Sequence, residues 1–196
     1  MNQGGPEQDA RWNKDAGDAA LACAVQAGEG YAFDVLAERY AARIYQHLYR
    51  IVGHRQEAED LTQESFLKAF RAIQQYDASR EFRSWLYAIA TNTGRNALRA
   101  RGRRGPMVSL DGEENFVPAG TENDTSDAQL RADRQAQLAE AMGRLPEQAA
   151  ALVDLHYREG MSLREAAAVL GTTEGAAKVA LHRARRQLRE WLIRDE

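Results

Sequence analysis

The sequence predicts an all-α protein of two small helical domains joined by a flexible acidic linker, the C-terminal domain carrying a helix-turn-helix. Three observations carry that prediction. Apolar residues recur at spacings of three and four through both halves of the 196-residue chain, and no alternating strand pattern occurs. The periodicity stops between Gly105 and Leu130, where Asp111, Glu113, Glu114, Glu122, Asp124 and Asp127 stand among Gly and Pro with no Lys or Arg. Near the end, start and stop signals define two helices joined by Gly171-Thr172-Thr173.

Met1 to about Lys14 is polar, contains Gly4-Gly5-Pro6 and reads as a disordered leader, 1–14, with neither a signal peptide nor an anchor. No apolar run approaches the ~20 residues that span a bilayer, so no membrane insertion is expected. Cys23 is the only cysteine, which rules out an internal disulfide or a cysteine-cluster zinc site and fits a reducing cytoplasm. Set among Leu21, Ala22 and Val25 in a short helix from Asp18 to Ala27, it is expected to be a small buried hydrophobe.

The first domain is expected over 15–104. Phe33, Leu36, Tyr40, Ile44, Leu48 and Ile51 describe one face of a long helix ending near Gly53. A second helix from about Gln56 to Gln75 should bury Ala58, Leu61, Ala69 and Ile73, with Phe66 and Phe70 helping. Tyr76 to Arg80 reads as a loop, after which Phe82, Leu86, Ile89 and Ala90 begin a third helix that runs into a basic stretch. Gly94 inside that helix costs about 1 kcal/mol against Ala, which points to a close approach there.

The linker is expected over 105–127 and the second domain over 128–196. Ser126 and Gln129 make a candidate capping box for a helix to Met142; Pro146 opens the next helix and Gly160 closes it. Ser162 and Glu165 form a second capping box, Gly171 stops that helix, and Thr173 caps the last one from Glu174.

The formal net charge of −3 conceals two basic blocks. Five arginines and no acid lie between Arg95 and Arg104, and five basic residues and no acid between Lys178 and Arg189. On the final helix Ala177, Leu181, Ala184 and Leu188 form an apolar stripe, which leaves the basic residues on the other side, a shape for the DNA major groove. Lys178, Val179, His182 and Arg183 would face base edges, while Arg185, Arg186 and Arg189 would grip phosphates.

Two further constellations bear on function. The helix from Phe82 sets Trp85 beside polar side chains and then a basic run, which suits capture of unpaired bases; packing of Trp85 in a core is the alternative. In the second helix Asp60, Gln63, Glu64 and Lys68 lie outward at helical spacing, an acidic and amide surface suited to a basic partner helix, or else a solvated face. No catalytic or cofactor chemistry is indicated. His47, His54, His156 and His182 lack ligand spacing, and neither a Gly-rich phosphate loop nor a nucleophile elbow occurs, so no cofactor and no metal are expected. A stand-alone repressor with a receiver domain would need alternating strands and helices, and an RNA adaptor would not need a groove-reading pair.

Three segments, in order, resemble one family. Asp60-Leu-Thr-Gln-Glu64 with Phe66-Leu-Lys-Ala-Phe70, then Phe82-Arg-Ser-Trp-Leu-Tyr-Ala-Ile-Ala-Thr-Asn92, then Gly171 to Arg185 resemble regions 2.2, 2.3 to 2.4 and 4.2 of the extracytoplasmic-function sigma factors, the sigma E branch in particular. The likeness covers about Asp18 to Trp191. It implies that Asp60, Gln63 and Glu64 dock on the beta-prime clamp of core RNA polymerase. It implies that the loop with Asp77, Ser79 and Arg80 captures a flipped base of the promoter −10 element, with Trp85, Asn92, Arg95, Arg99 and Arg103 near that DNA. The final helix would read the −35 element. The beta flap of polymerase, promoter DNA and a membrane-bound anti-sigma factor are the further partners it implies, in an envelope or environmental stress response. Asn96 stands where the family frequently has an acidic residue.

Overall fold

The computed structural model describes residues 15–104, 134 and 136–194. The expected leader 1–14, linker 105–127 and Ser126–Gln129 capping box lie outside the described residues. Two compact units, Met1–Gly105 and Pro106–Glu196, divide the chain. Both are helical, and among the described residues there is no strand. No helix among them is long and apolar enough to cross a membrane.

The first unit contains α1 (Asp18–Gln26), α2 (Tyr31–Val52), α3 (Arg55–Ala72) with a 3-10 turn at Ile73–Gln75, and α4 (Phe82–Arg104). Gly53 ends α2 in the left-handed region at φ 70°, and its N–H bonds the Tyr49 carbonyl, a conformation a side chain would strain. His54 then starts α3 by accepting from the Glu57 N–H at 3.3 Å. The core is the expected stripe: Leu36, Ile44 and Leu48 of α2 meet Leu21 of α1 and Phe82, Leu86 and Tyr87 of α4, all essentially without exposed surface. Each such burial is worth about 1.5–3 kcal/mol before entropy is counted.

The close approach at Gly94 is present. A Cβ there would stand 3.0 Å from Leu48 Cδ2 and 3.1 Å from Ile51 Cγ2, so α4 crosses α2 so closely that a methyl group would fit only if those side chains gave way by a few tenths of an ångström. Buried His47 pairs its Nε2 with Thr91 Oγ1 at 2.9 Å, satisfying a polar group that would otherwise be costly inside. The Asp18 carboxylate accepts from Arg39 and from the Tyr40 hydroxyl, fastening α1 to α2. Burial, and then that hydrogen bond, push the Tyr40 hydroxyl pKa far up.

Two expectations of burial are corrected. Cys23 is exposed, because α1 packs through Leu21, Ala22, Ala24 and Val25 and the residue between these pairs faces outward. Phe70 is 47 % exposed. The face of α3 that meets the core is Ala58, Leu61, Ser65 and Ala69, whose small members admit the neighbouring helices. Phe66 and Phe70 therefore sit at the edge, where both ring edges contact Phe33 at centroid distances of 6.4 and 5.1 Å.

The second unit has a helical stretch at 136–143, then α5 (Glu147–Val153), α6 (Leu163–Val169) and α7 (Glu174–Arg194). Pro146 takes the N-cap of α5. The helix continues as a π-turn over Asp154–Arg158 before Gly160 closes it at φ 64°. The Ser162–Glu165 capping box forms in both directions. Gly171 adopts φ 65°, and the Thr172 N–H reaches the Ala167 carbonyl while the Gly171 N–H reaches that of Ala168, the paired bonds of a Schellman stop. Thr173 Oγ1 then accepts from the Ala176 N–H at 3.2 Å. Leu152, Leu155, Met161, Ala166, Ala167, Ala177, Leu181 and Ala184 fill the core beneath this turn.

Candidate functional site

On α7 the buried stripe of Ala177, Leu181 and Ala184 fixes which side is left to solvent. Lys178, Val179, His182, Arg183, Arg185, Arg186 and Arg189 are all exposed, and Val179, an apolar residue, has 51 % of its surface open. Gly175 and Ala176 precede them and are also exposed, so the first turn presents little bulk. Arg186 lies 3.6 Å from Glu190, an exposed pair of small energetic weight that leaves the guanidinium available to a stronger anion.

The loop between Ile73–Gln75 and α4 is shaped before anything binds. Tyr76 is buried, and its ring packs on Phe82 and Trp85 at 5.5 and 5.3 Å. Its hydroxyl donates to the Arg80 carbonyl at 2.6 Å, closing the loop over itself. Burial first, and nearby carboxylates second, raise the Tyr76 pKa, so the hydroxyl stays a donor. Within the loop Asp77 Oδ1 accepts from the Ser79 N–H at 2.9 Å, and the Arg80 N–H bonds the Asp77 carbonyl at 2.9 Å. The Ser79 hydrogen bonds hold the Asp77 carboxyl below its ordinary pKa. Asp77, Ser79 and Arg80 are exposed on this turn, and Trp85 is half-buried beside it.

Along α4, Asn92, Asn96 and Arg99 are exposed at spacings of four and three and make one stripe. Asn96 was not among the expected site residues; its position four after Asn92 is the signal that places it there. Arg95 is turned inward with 8 % exposed. Arg101 donates to the Val52 carbonyl at 3.2 Å and lies 3.5 Å from Glu57, so it serves the junction with α2 and α3. The Arg103 side chain lies outside the described residues.

On α3, Asp60, Gln63 and Glu64 are exposed together. Lys68 Nζ sits 2.6 Å from Glu64 and 3.2 Å from Thr93 Oγ1, which orients the Glu64 carboxylate from one side. Sequence reasoning missed the apolar half of this face. Leu67, 55 % exposed, and Phe70 continue it into an open hollow of about 500 Å³ lined by Phe33, Ala37, Gln63 and Phe66 as well. The signal was present in two apolar residues that fall off the core spacing of Ala58, Leu61 and Ala69.

Comparisons with known proteins agree with this layout. The family descriptions "Sigma-70 region 2" and "Sigma-70, region 4" match residues 36–104 and 135–188. The RNA polymerase sigma-H factor of Pseudomonas aeruginosa is 34 % identical over 86 % of this chain and 90 % of its own. The extracytoplasmic-function sigma-E factor of Haemophilus influenzae is 33 % identical over 87 % of this chain and 93 % of its own. The SigE factor of Mycolicibacterium smegmatis is 38 % identical over 83 % of this chain, which spans 62 % of that longer relative. Among solved structures, CnrH in complex with the cytosolic domain of CnrY has a TM-score of 0.68 at 27 % identity, covering 91 % of this chain and 99 % of that one. The Bartonella quintana sigma factor RpoE, in complex with the anti-sigma factor NepR, shares the fold with a TM-score of 0.67 at 22 % identity, covering 84 % of this chain and 98 % of that one. Two sigma-70 regions matched in order, and relatives a third identical along nearly their whole length, establish that the chain belongs to the extracytoplasmic-function RNA polymerase sigma factors.

Proposed function

We propose that the three exposed surfaces divide the work of a transcription initiation factor among named residues. Asp60, Gln63 and Glu64, with Leu67 and Phe70 beside them, seat the chain on the beta-prime clamp of core polymerase. Charge supplies the approach and the apolar hollow supplies the desolvated centre of the contact. Lys178, Val179, His182 and Arg183 read the −35 element in the major groove, while Arg185 and Arg186 hold its phosphates. Asp77, Ser79 and Arg80 receive an unpaired −10 base beside Trp85, and Asn92, Asn96, Arg99 and Arg103 follow the adjoining strand.

The observation that carries this reading is the loop over 77–80, exposed yet hydrogen-bonded across itself. Holding DNA needs only a charged face, whereas opening it needs a prepared place for a base once it leaves the stack. Extruding that base costs a few kcal/mol, which contacts with a preshaped loop and with phosphates offset. The chain performs no bond chemistry; polymerase does. The region 2 work falls to residues 15–104 and the region 4 work, including contact with the beta flap, to 128–196, joined by 105–127. It acts in the cytoplasm, and a membrane-bound anti-sigma factor holds it in check. The solved complex of CnrH with the cytosolic domain of CnrY, matched at 27 % identity, supports a bound protein partner by similarity.

Permanganate probing of promoter DNA tests the assignment. Core polymerase with the chain should make −10 thymines reactive, and the same holoenzyme with Asp77, Ser79 and Arg80 replaced by Gly should not. Equal reactivity in both would remove the loop from the mechanism.

A further inference from the structure

α1 ends at Gln26, and the 3-10 turn after α3 ends at Gln75, immediately before the loop. Each end is bonded by an amide from the other. Gln26 Nε2 donates to the Ile73 carbonyl at 2.8 Å and to the Tyr76 carbonyl at 2.9 Å, while Gln74 Nε2 donates to the Gln26 carbonyl at 3.1 Å. Both partners of Gln26 are acceptors, which settles which end of its amide is the NH2 group. The carbonyls of a last helical turn run short of intrahelical donors and carry partial negative charge. Two such ends brought together repel unless donors stand between them, and the two glutamines add donors there beside the Tyr76 N–H, which also bonds the Ile73 carbonyl at 3.0 Å.

We propose that Gln26 is a positioning residue for promoter −10 recognition: it fixes the first peptide of the 77–80 loop and so sets the direction in which the base pocket opens. The inference rests on the proposed role of that loop in base capture. Tyr76 links the two. Its carbonyl is held by Gln26, its ring is held by Phe82 and Trp85, and its hydroxyl holds the far end of the loop at Arg80. A shift at the Tyr76 carbonyl is thereby passed to both ends of the turn. α1 precedes the residues matched by the region 2 family description, which begin at residue 36, so this part of the chain adds to the matched region a support from outside it.

The test uses holoenzyme and compares initiation from a promoter with the preferred −10 base against one with that base changed. Gln26→Met keeps length and loses both N–H groups; it should cut the discrimination ratio about tenfold, the order expected of two lost hydrogen bonds. Affinity for core polymerase and dependence on the −35 sequence should stay as in the parent. Gln26→Lys restores donors beside two helix C-termini and should restore discrimination, whereas Gln26→Glu, which turns a carboxylate on the same carbonyls, should lose it. That Lys and Glu pair decides the question even if the Met variant does not fold. Equal discrimination by Lys and Glu variants, or undiminished discrimination by a folded Met variant, overturns the role of Gln26. The variant with Gly at 77, 79 and 80 separates the two claims. If it initiates and discriminates as well as the parent, base capture by the loop is itself wrong; if it fails to initiate while the Gln26 variants keep their discrimination, only the positioning role falls.

Discussion

Arg101 donates to the main-chain carbonyl of Val52 at 3.2 Å, so one arginine of the basic run on α4 is spent on the end of α2. Its neighbour Arg99 lies on the exposed stripe with Asn92 and Asn96. Two residues apart on one helix, they face different tasks, and charge alone does not distinguish them.

Arg101→Ala should therefore lower the stability of the first unit by about 1 kcal/mol, the net worth of a hydrogen bond from a charged donor at a half-exposed site. The slope of promoter affinity against salt should not change. Arg99→Ala should do the reverse, leaving thermal unfolding alone and reducing the salt slope by about 1. Circular dichroism melts and promoter binding across a salt series read the two effects.

Gly94→Ala sets two effects against each other. Helix propensity favours the change by about 1 kcal/mol, while forcing a methyl group into a packed core costs about 1–3 kcal/mol. Leu48, the nearer neighbour at 3.0 Å, has no exposed surface and little room to yield. Packing should win, with a net loss of about 1 kcal/mol and a melting point lower by about 4 °C. A variant as stable as the parent would show that α2 and α4 can separate there at little cost.

Asp60→Arg with Glu64→Arg should abolish co-purification with core polymerase, because a basic clamp surface would then meet like charge. Phe70→Ser should weaken the same association with little loss of fold stability, since nearly half of that ring is already in water. Retention of both variants on core polymerase would exclude this face of α3 from the contact.

On α7, Arg183→Ala should weaken promoter use by about 1–3 kcal/mol and relax the sequence requirement at one −35 position. Arg186→Ala should weaken all −35 sequences alike and flatten the salt dependence. A library of −35 variants transcribed with each protein separates base reading from phosphate contact. The same profile for both would show that Arg183 reads no base.

Local signals proved legible in the sequence wherever a structure depends on neighbours within one turn. Ser162 with Glu165, the stop at Gly171 and the cap at Thr173 each need only residues three to five apart, and all formed as expected. The apolar stripe from Phe33 to Leu48 was legible for the same reason. What was not legible depends on which helix lies opposite. Cys23 and Phe70 have the composition of core residues, but small side chains at Ala22, Ala24, Ser65 and Ala69 rotate the true contact face away from them. Arg95 is a basic residue in a basic run, yet it points inward. The amide exchange between Gln26 and the turn after α3 spans 47 to 50 residues of sequence, and no periodicity reports on it. The proposed docking face on α3 was half legible: its charges follow helical spacing, while the hollow at Leu67 and Phe70 is lined in part by Phe33 of α2.

Multi-round transcription with purified core polymerase tests the central claim most directly. On a duplex library varied at both promoter elements, the full chain should direct transcripts from a single defined start on a subset of templates. Replacing Asp77, Ser79 and Arg80 by Gly should abolish those starts. Core polymerase giving the same scattered products with and without the chain would contradict the account.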